Sequence, residues 1–175
     1  MSKYKVVFLG LGVMGYPMAG FLANAGHSVC VYNRTTNKAE AWVKQYGGRF
    51  AETPAEAVEG ADFVFACVGN DDDLRSVTIG EGGAFKAMPT GAVFIDHTTA
   101  SANVARELSE KACELGFAFL DAPVSGGQAG AENGVLSVMI GGEQDTFDKV
   151  SPVIAVYSKA AELMGPVGSG QLAKM

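Results

Sequence analysis

Several things are scarce or missing in this sequence, and each absence excludes a class of function. There is no long basic run and the formal net charge is −6, so the positive footprint that phosphate-backbone binding requires is missing and nucleic acid is not an expected partner. No apolar stretch is long enough to cross a bilayer, because glycine interrupts each one. The opening residues Met1, Ser2, Lys3, Tyr4 and Lys5 lead directly into a strand-like run rather than a signal peptide. The expectation is a cytoplasmic chain with no membrane partner. Cysteine is limited to Cys30, Cys67 and Cys113, an odd number without Cys-x-x-Cys spacing, so a disulfide framework is excluded and all three are expected to be reduced core residues. The only histidines are His27 and His97, and no serine sits in a Gly-x-Ser-x-Gly elbow, which argues against a hydrolase triad. Both histidines are expected to be structural. No repeat, low-complexity tract or Pro/Ser-rich linker divides the chain.

What is present suits one globular domain. The 175 residues are 48% hydrophobic and 18% charged, a balance that can bury a core and does not resemble a disordered chain. Strand-like and helix-like segments alternate: strands at 5–9, 28–32, 62–68, 91–95, 118–120 and 136–141, and helices at 14–25, 36–46, 101–115 and 143–158. Such alternation predicts an α/β fold of Rossmann type, a mainly parallel sheet with helices on both faces, since parallel strands need right-handed crossovers.

The first strand ends in Gly10-Leu11-Gly12-Val13-Met14-Gly15, a G-x-G-x-x-G sequence between a strand and a helix. There the first glycine permits a tight turn, the second lets the backbone approach a pyrophosphate, and the third lets the helix pack closely on the sheet. Free N–H groups and the positive end of the helix dipole then meet the diphosphate. The end of the second strand reads Asn33-Arg34-Thr35, with the neutral Asn33 about twenty positions beyond Gly12, where an acidic residue would bind the ribose hydroxyls of NAD. Arg34 offers planar donors suited to a phosphate and Thr35 a hydroxyl, so NADP is favoured, with NAD as second choice or joint cofactor. Val68 and Gly69, at the carboxyl end of the third strand, should border the cofactor. The run Asp71-Asp72-Asp73 is read as the acidic first turn of a helix rather than as metal ligands, and no metal site is expected.

Three further segments, Asp96-His97-Thr98-Thr99, Asp121-Ala122-Pro123-Val124-Ser125-Gly126-Gly127 and Gly168-x-Gly170-x-x-x-Lys174, together with the glycine-rich turn, resemble the 3-hydroxyacid dehydrogenase family. Its members include 3-hydroxyisobutyrate dehydrogenase, tartronate semialdehyde reductase and the glyoxylate/succinic semialdehyde reductases. The likeness extends through Gly130-Ala131-x-x-Gly134-x-Leu136 and covers the whole chain. It implies that Thr99 contacts cofactor or substrate, that Ser125, Gly126 and Gly127 bind the substrate, and that Lys174 is the catalytic acid/base. The family's proline after the Asp96–Thr99 loop is absent, with Asn103 in that region, and an alternative reading makes Thr98 and Thr99 helix-capping hydroxyls before Ser101. The likeness also implies that residues 1–165 form the NADP-binding domain and 166–175 the opening of an interdomain helix. The all-helical domain behind it is missing, so the isolated chain is expected to be essentially inactive and the full-length enzyme a homo-oligomer. The expected function is interconversion of a small 3-hydroxyacid, or hydroxy acid, with its semialdehyde or oxo acid. Two alternatives stand beside it: a noncatalytic nucleotide-sensing or partner-binding module of the same fold, and an imine-reductase-like enzyme. Lys174 argues against both.

Overall fold

Val6 and Phe8 face one side of the first strand and Val7 and Leu9 the other, and all four are buried. A strand with two buried faces needs helices above and below it, and this sets the architecture. The computed structural model describes residues 3–175; Met1 and Ser2, with the part of the N-terminal expectation that falls on them, lie outside the described residues. In chain order the elements are β1 (Lys5–Leu9), α1 (Gly15–Asn24), β2 (Ser28–Tyr32), α2 (Thr36–Tyr46), β3 (Arg49–Phe50), α3 (Pro54–Ala57), β4 (Phe63–Ala66), α4 (Asp71–Thr78) and β5 (Val93–Asp96). There follow α5 (Ala102–Leu115), β6 (Ala118–Asp121), β7 (Val124–Ser125), α6 (Gly127–Asn133), β8 (Leu136–Gly141), α7 (Gln144–Ile154), β9 (Ser158–Gly165) and α8 (Ser169–Lys174).

The strands form one sheet in the order β3-β2-β1-β4-β5-β6-β8-β7, with β9 also on β8. Pairing from β3 to β6 is parallel. β8 runs antiparallel to β6 and β7, and β9 runs parallel to β8. The fold is α/β and Rossmann-like, mainly parallel with helices on both sides. On one face Val6, Phe8, Val29, Phe63, Phe65 and Ile95 pack under α1, α2 and α7, with Trp42 of α2 fully buried. On the other, Val7, Leu9, Val64, Phe94 and Phe119 pack under α4 and α5, where Leu74, Val104 and Leu108 are buried. The strand order reverses direction between β1 and β4, and such a switch point opens a crevice at the carboxyl ends of the strands.

Several expectations need correction. The strand expected over 62–68 is confined to 63–66, and the one over 91–95 lies at 93–96. The helix expected over 143–158 ends at Ile154, followed by a short 3-10 turn, Ala155–Tyr157. Ser158 then starts β9, whose Ala, Glu, Leu and Met carry helical propensity; pairing with β8 overrides it. β3, α3, β7 and α6 were not anticipated, being at most seven residues long and too short to show a period. Of the three free cysteines Cys30 is fully buried in the core. Cys67 is partly buried against the core with its thiol inward, and Cys113 is exposed on α5, which corrects the assignment of Cys113 to the core. Among the described residues no helix is long and apolar enough to cross a membrane.

Candidate functional site

The turn after β1 is built as its glycines require. Gly10 has φ +100°, and a Cβ there would stand 2.3 Å from the Cys67 carbonyl oxygen; at Gly15 a Cβ would stand 2.1 Å from the Gly10 carbonyl. Those two glycines let backbone meet backbone. Gly12 is different, because a Cβ there would meet nothing within 4 Å and would project into open space. That space is a cavity of about 710 Å³ lined by Gly10–Gly15, Asn33–Thr35 and Cys67–Gly69, within the range of small-molecule sites. Among the described residues, the N–H groups of Gly12, Val13 and Met14 have no protein acceptor, whereas Leu11 N–H is taken by Asn33. Three unused donors before α1, in a cradle that one added Cβ would invade, fit the diphosphate of a dinucleotide.

At the end of β2 the residues divide their roles. Asn33 accepts from Leu11 N–H at 2.9 Å and donates to the Thr35 carbonyl at 3.0 Å, so its amide fastens the glycine turn to the β2–α2 connection. Each end of that amide keeps one further hydrogen-bonding position. The Arg34 side chain is 83% exposed at the cavity wall, and its Nη2 lies 3.3 Å from Oδ1 of Asp73. Asp71–Asp73 do form the first turn of α4, which Asn70 caps by accepting from Asp73 N–H.

A second cavity, about 500 Å³, shares Met14, Cys67, Val68 and Gly69 with the first, so the two are adjacent. It brings together Thr99, Ser125, Gly126, Gly127 and Lys174. Gly126 has φ +132° and Gly127 φ +62°, and this left-handed pair turns the chain from β7 into α6. Thr99 is exposed toward the cavity, and Thr98 accepts from Val68 N–H at 3.0 Å. The helix-capping reading of the two threonines is overturned, because Ser101 caps α5 by accepting from Val104 N–H.

Lys174 is half-buried on α8 and its ammonium donates to the Val124 carbonyl. Two residues to which the sequence assigns no role hold this helix. Asp121, fully buried at the end of β6, accepts from Gly168 N–H at 2.8 Å and from Gln171 N–H at 3.0 Å. Gln171, also buried, donates to the Thr98 carbonyl at 2.7 Å and accepts from Ala100 N–H at 3.1 Å. α8 is therefore tied to the ends of both β5 and β6. The one available signal was a carboxylate ending each of two neighbouring strands, since Asp96 pairs with Asp121 in parallel register.

Burial dominates the electrostatics beneath the second cavity. It raises the Asp96 carboxyl to about 7, against hydrogen bonds from Thr98, and leaves one Asp96 oxygen without a partner. It lowers the His97 imidazole to about 4, so the ring is neutral at pH 7. Nδ1 of His97 lies 2.7 Å from the Ala122 carbonyl and must carry the proton; Nε2 then accepts from the Tyr157 hydroxyl at 2.6 Å. Burial pushes the Cys67 thiol up to about 12, with Asp96 reinforcing the shift and Lys174 opposing it, so Cys67 remains a thiol. His27 accepts from Tyr4 N–H and stacks on the Tyr4 ring at the opposite edge of the sheet, as a structural residue would.

Comparison with known proteins bears on this geometry. A family described as the NAD binding domain of 6-phosphogluconate dehydrogenase matches residues 5–165. An uncharacterized oxidoreductase of Shewanella frigidimarina is 64% identical over 171 residues, 98% of this chain and 59% of that protein. The 2-hydroxy-3-oxopropionate reductase of Escherichia coli is 36% identical over 98% of this chain and 58% of its own length. A solved structure of Mycobacterium tuberculosis 3-hydroxyisobutyrate dehydrogenase with L-serine superposes with a TM-score of 0.92 at 33% identity, covering 99% of this chain and 58% of that one. The chain thus spans about three fifths of these relatives. It belongs to the family of 6-phosphogluconate dehydrogenase NAD-binding domains and is an NAD(P)-binding domain of the 3-hydroxyacid dehydrogenase type.

Proposed function

We propose that this chain is the cofactor-binding part of an NADP(H)-dependent oxidoreductase of the cytoplasm. It would interconvert a small 3-hydroxyacid, or hydroxy acid, with its semialdehyde or oxo acid, with Lys174 as acid/base. The observation that carries the reading is the adjacency of the two cavities: the glycine cradle lines one, Lys174, Ser125 and Thr99 line the other, and Cys67, Val68 and Gly69 form the common wall. Gly12–Met14 would hold the diphosphate through free N–H groups, with Gly10, Leu11 and Gly15 shaping the turn. Arg34 and Thr35 would hold the 2′-phosphate, and Asn33 would support both from behind. A bound nicotinamide, reduced or oxidised, supplies or accepts the hydride. Gly126 and Gly127 expose backbone N–H groups and Ser125 a hydroxyl, donors suited to a substrate carboxylate. The Lys174 ammonium would give its proton to the carbonyl oxygen during reduction and take it back during oxidation. Residues 1–165 would act as the NADP-binding domain, with 166–175 opening an interdomain helix in a homo-oligomeric full-length enzyme.

The test is a fusion of this chain to the remaining portion of the Shewanella frigidimarina relative. The expected result is NADPH-linked reduction of tartronate semialdehyde, succinic semialdehyde or glyoxylate, lost by at least a hundredfold in Lys174→Ala with NADPH affinity retained. Turnover that survives Lys174→Ala would remove the lysine from the chemistry. A folded, NADPH-binding fusion that turns over none of these acids would favour the noncatalytic module.

A further inference from the structure

The strongest feature that this function leaves unused is the Asp73 carboxylate. It lies across the mouth of the larger cavity from the β2–α2 connection, with Oδ1 3.3 Å from Arg34 Nη2, and both residues line that cavity. Its other oxygen is tucked over the exit of β4, where a Cβ added to Gly69 would meet Asp73 Oδ2 at 2.4 Å. The Asn70 cap fixes the first turn of α4 beneath it. The proposed phosphate-binding guanidinium thus already has an anionic partner within the site.

The position where an acidic residue usually receives the ribose hydroxyls carries no carboxylate in this sequence. Asn33 stands there, and both ends of its amide are engaged by Leu11 N–H and the Thr35 carbonyl. A carboxylate is nevertheless present in the same cavity, delivered from α4. We propose that Asp73 is a specificity-determining residue: it competes with a 2′-phosphate for Arg34 and serves as an acceptor for an unphosphorylated ribose, narrowing the preference for the phosphorylated cofactor. This rests on the assignment of Arg34 to the 2′-phosphate. Arg34 is 83% exposed and the Asp73 side chain 31%, so the competition takes place in a largely aqueous setting and its effect is modest.

The experiment is a calorimetric titration of the 175-residue chain with NADPH and with NADH at low salt, using the parent, Asp73→Asn, Asp73→Ser, Arg34→Ala and the double variant. Thermal melts confirm that each is folded. Asp73→Asn is expected to raise the NADPH-to-NADH affinity ratio about fivefold, roughly 1 kcal/mol, partly through weaker NADH binding. Asp73→Ser should move it in the same direction, and 0.5 M salt should shrink the gain. If Arg34→Ala collapses the ratio while both Asp73 variants stay within twofold of the parent, this inference is wrong and the Arg34 assignment stands. If neither position alters the ratio, both fall. A ratio that shifts with Asp73 but not with Arg34 would leave Asp73 as the determinant and remove the arginine.

Discussion

Replacing Asp121 by alanine should release the helix that carries Lys174, and the cost can be worked from its contacts. The carboxylate is fully buried and accepts from two backbone N–H groups of the α8 turn, at 2.8 and 3.0 Å. A buried donor left without a partner costs about 1–3 kcal/mol, so the two together reach about 2–6 kcal/mol. Part of this is recovered, because burial holds the Asp121 carboxyl above its ordinary pKa in spite of those hydrogen bonds and the ionised group carries its own desolvation cost. A net loss of about 3 kcal/mol follows, and Asp121→Asn, which keeps one acceptor, should lose roughly half as much. In urea, with a slope of about 2 kcal/mol/M, the Asp121→Ala midpoint should fall by about 1.5 M. Hydrogen exchange should report the loss first at the Gly168 and Gln171 amides. NADPH binding by the folded variant should remain within about threefold of the parent, since a 1.4 kcal/mol change would be tenfold. A midpoint within 0.3 M of the parent, or exchange at those amides no faster than before, would refute the claim that Asp121 anchors α8.

The glycine turn offers a contrast within three positions. Gly12→Ala should fold with an unchanged melting temperature, because its Cβ meets nothing within 4 Å, yet weaken NADPH at least tenfold by invading the cradle. Gly15→Ala forces a Cβ to 2.1 Å from a carbonyl and should fail to fold or melt far lower; equal melting of the two would show that the turn does not have this geometry. Asp96 and His97 have opposing pH linkages. With Asp96 raised to about 7, the folded state holds more protons than the unfolded one between about pH 4 and 7, so this group makes stability fall as pH rises. With His97 lowered to about 4, the unfolded state holds more protons between about pH 4 and 6.5, so this group makes stability fall as pH drops. In the shared window they largely cancel, and Asp96→Asn should unmask the histidine as roughly 3 kcal/mol of acid sensitivity between pH 6.5 and 4. A profile parallel to the parent's would contradict the burial argument.

The fold and the site were legible to different degrees. Strands β1, β2 and β8 and helix α2 lie where the pattern placed them, because each is either a continuous apolar run or a clear amphipathic period. β9 is not evident in the sequence, because Lys159–Met164 has helical rather than strand propensity and its strand state exists only through pairing with β8. The glycine turn was readable since glycine spacing is itself the geometry. The grouping of Thr99, Ser125–Gly127 and Lys174 came from resemblance, as nothing in their spacing predicts that three distant loops line one cavity. Asp121 and Gln171 were passed over because an isolated polar residue carries no sign of burial in the sequence. The Arg34–Asp73 pair joins positions far apart in the chain, and only the closure of the sheet between β1 and β4 brings them together.

The ties on α8 decide where motion can and cannot reach the chemistry. The Lys174 helix is fastened from below by Asp121 and sideways by Gln171 to the same strand ends that carry Thr98 and Ala122. The lysine and the Ser125 loop are therefore tied by hydrogen bonds to the same sheet that carries the glycine cradle. Any lid or neighbouring subunit that closes over the second cavity can change its water content and its grip on a ligand. The distance between the Lys174 ammonium and the glycine cradle is thus set by the sheet itself, and a movement over the cavity would leave the spacing of these groups unchanged.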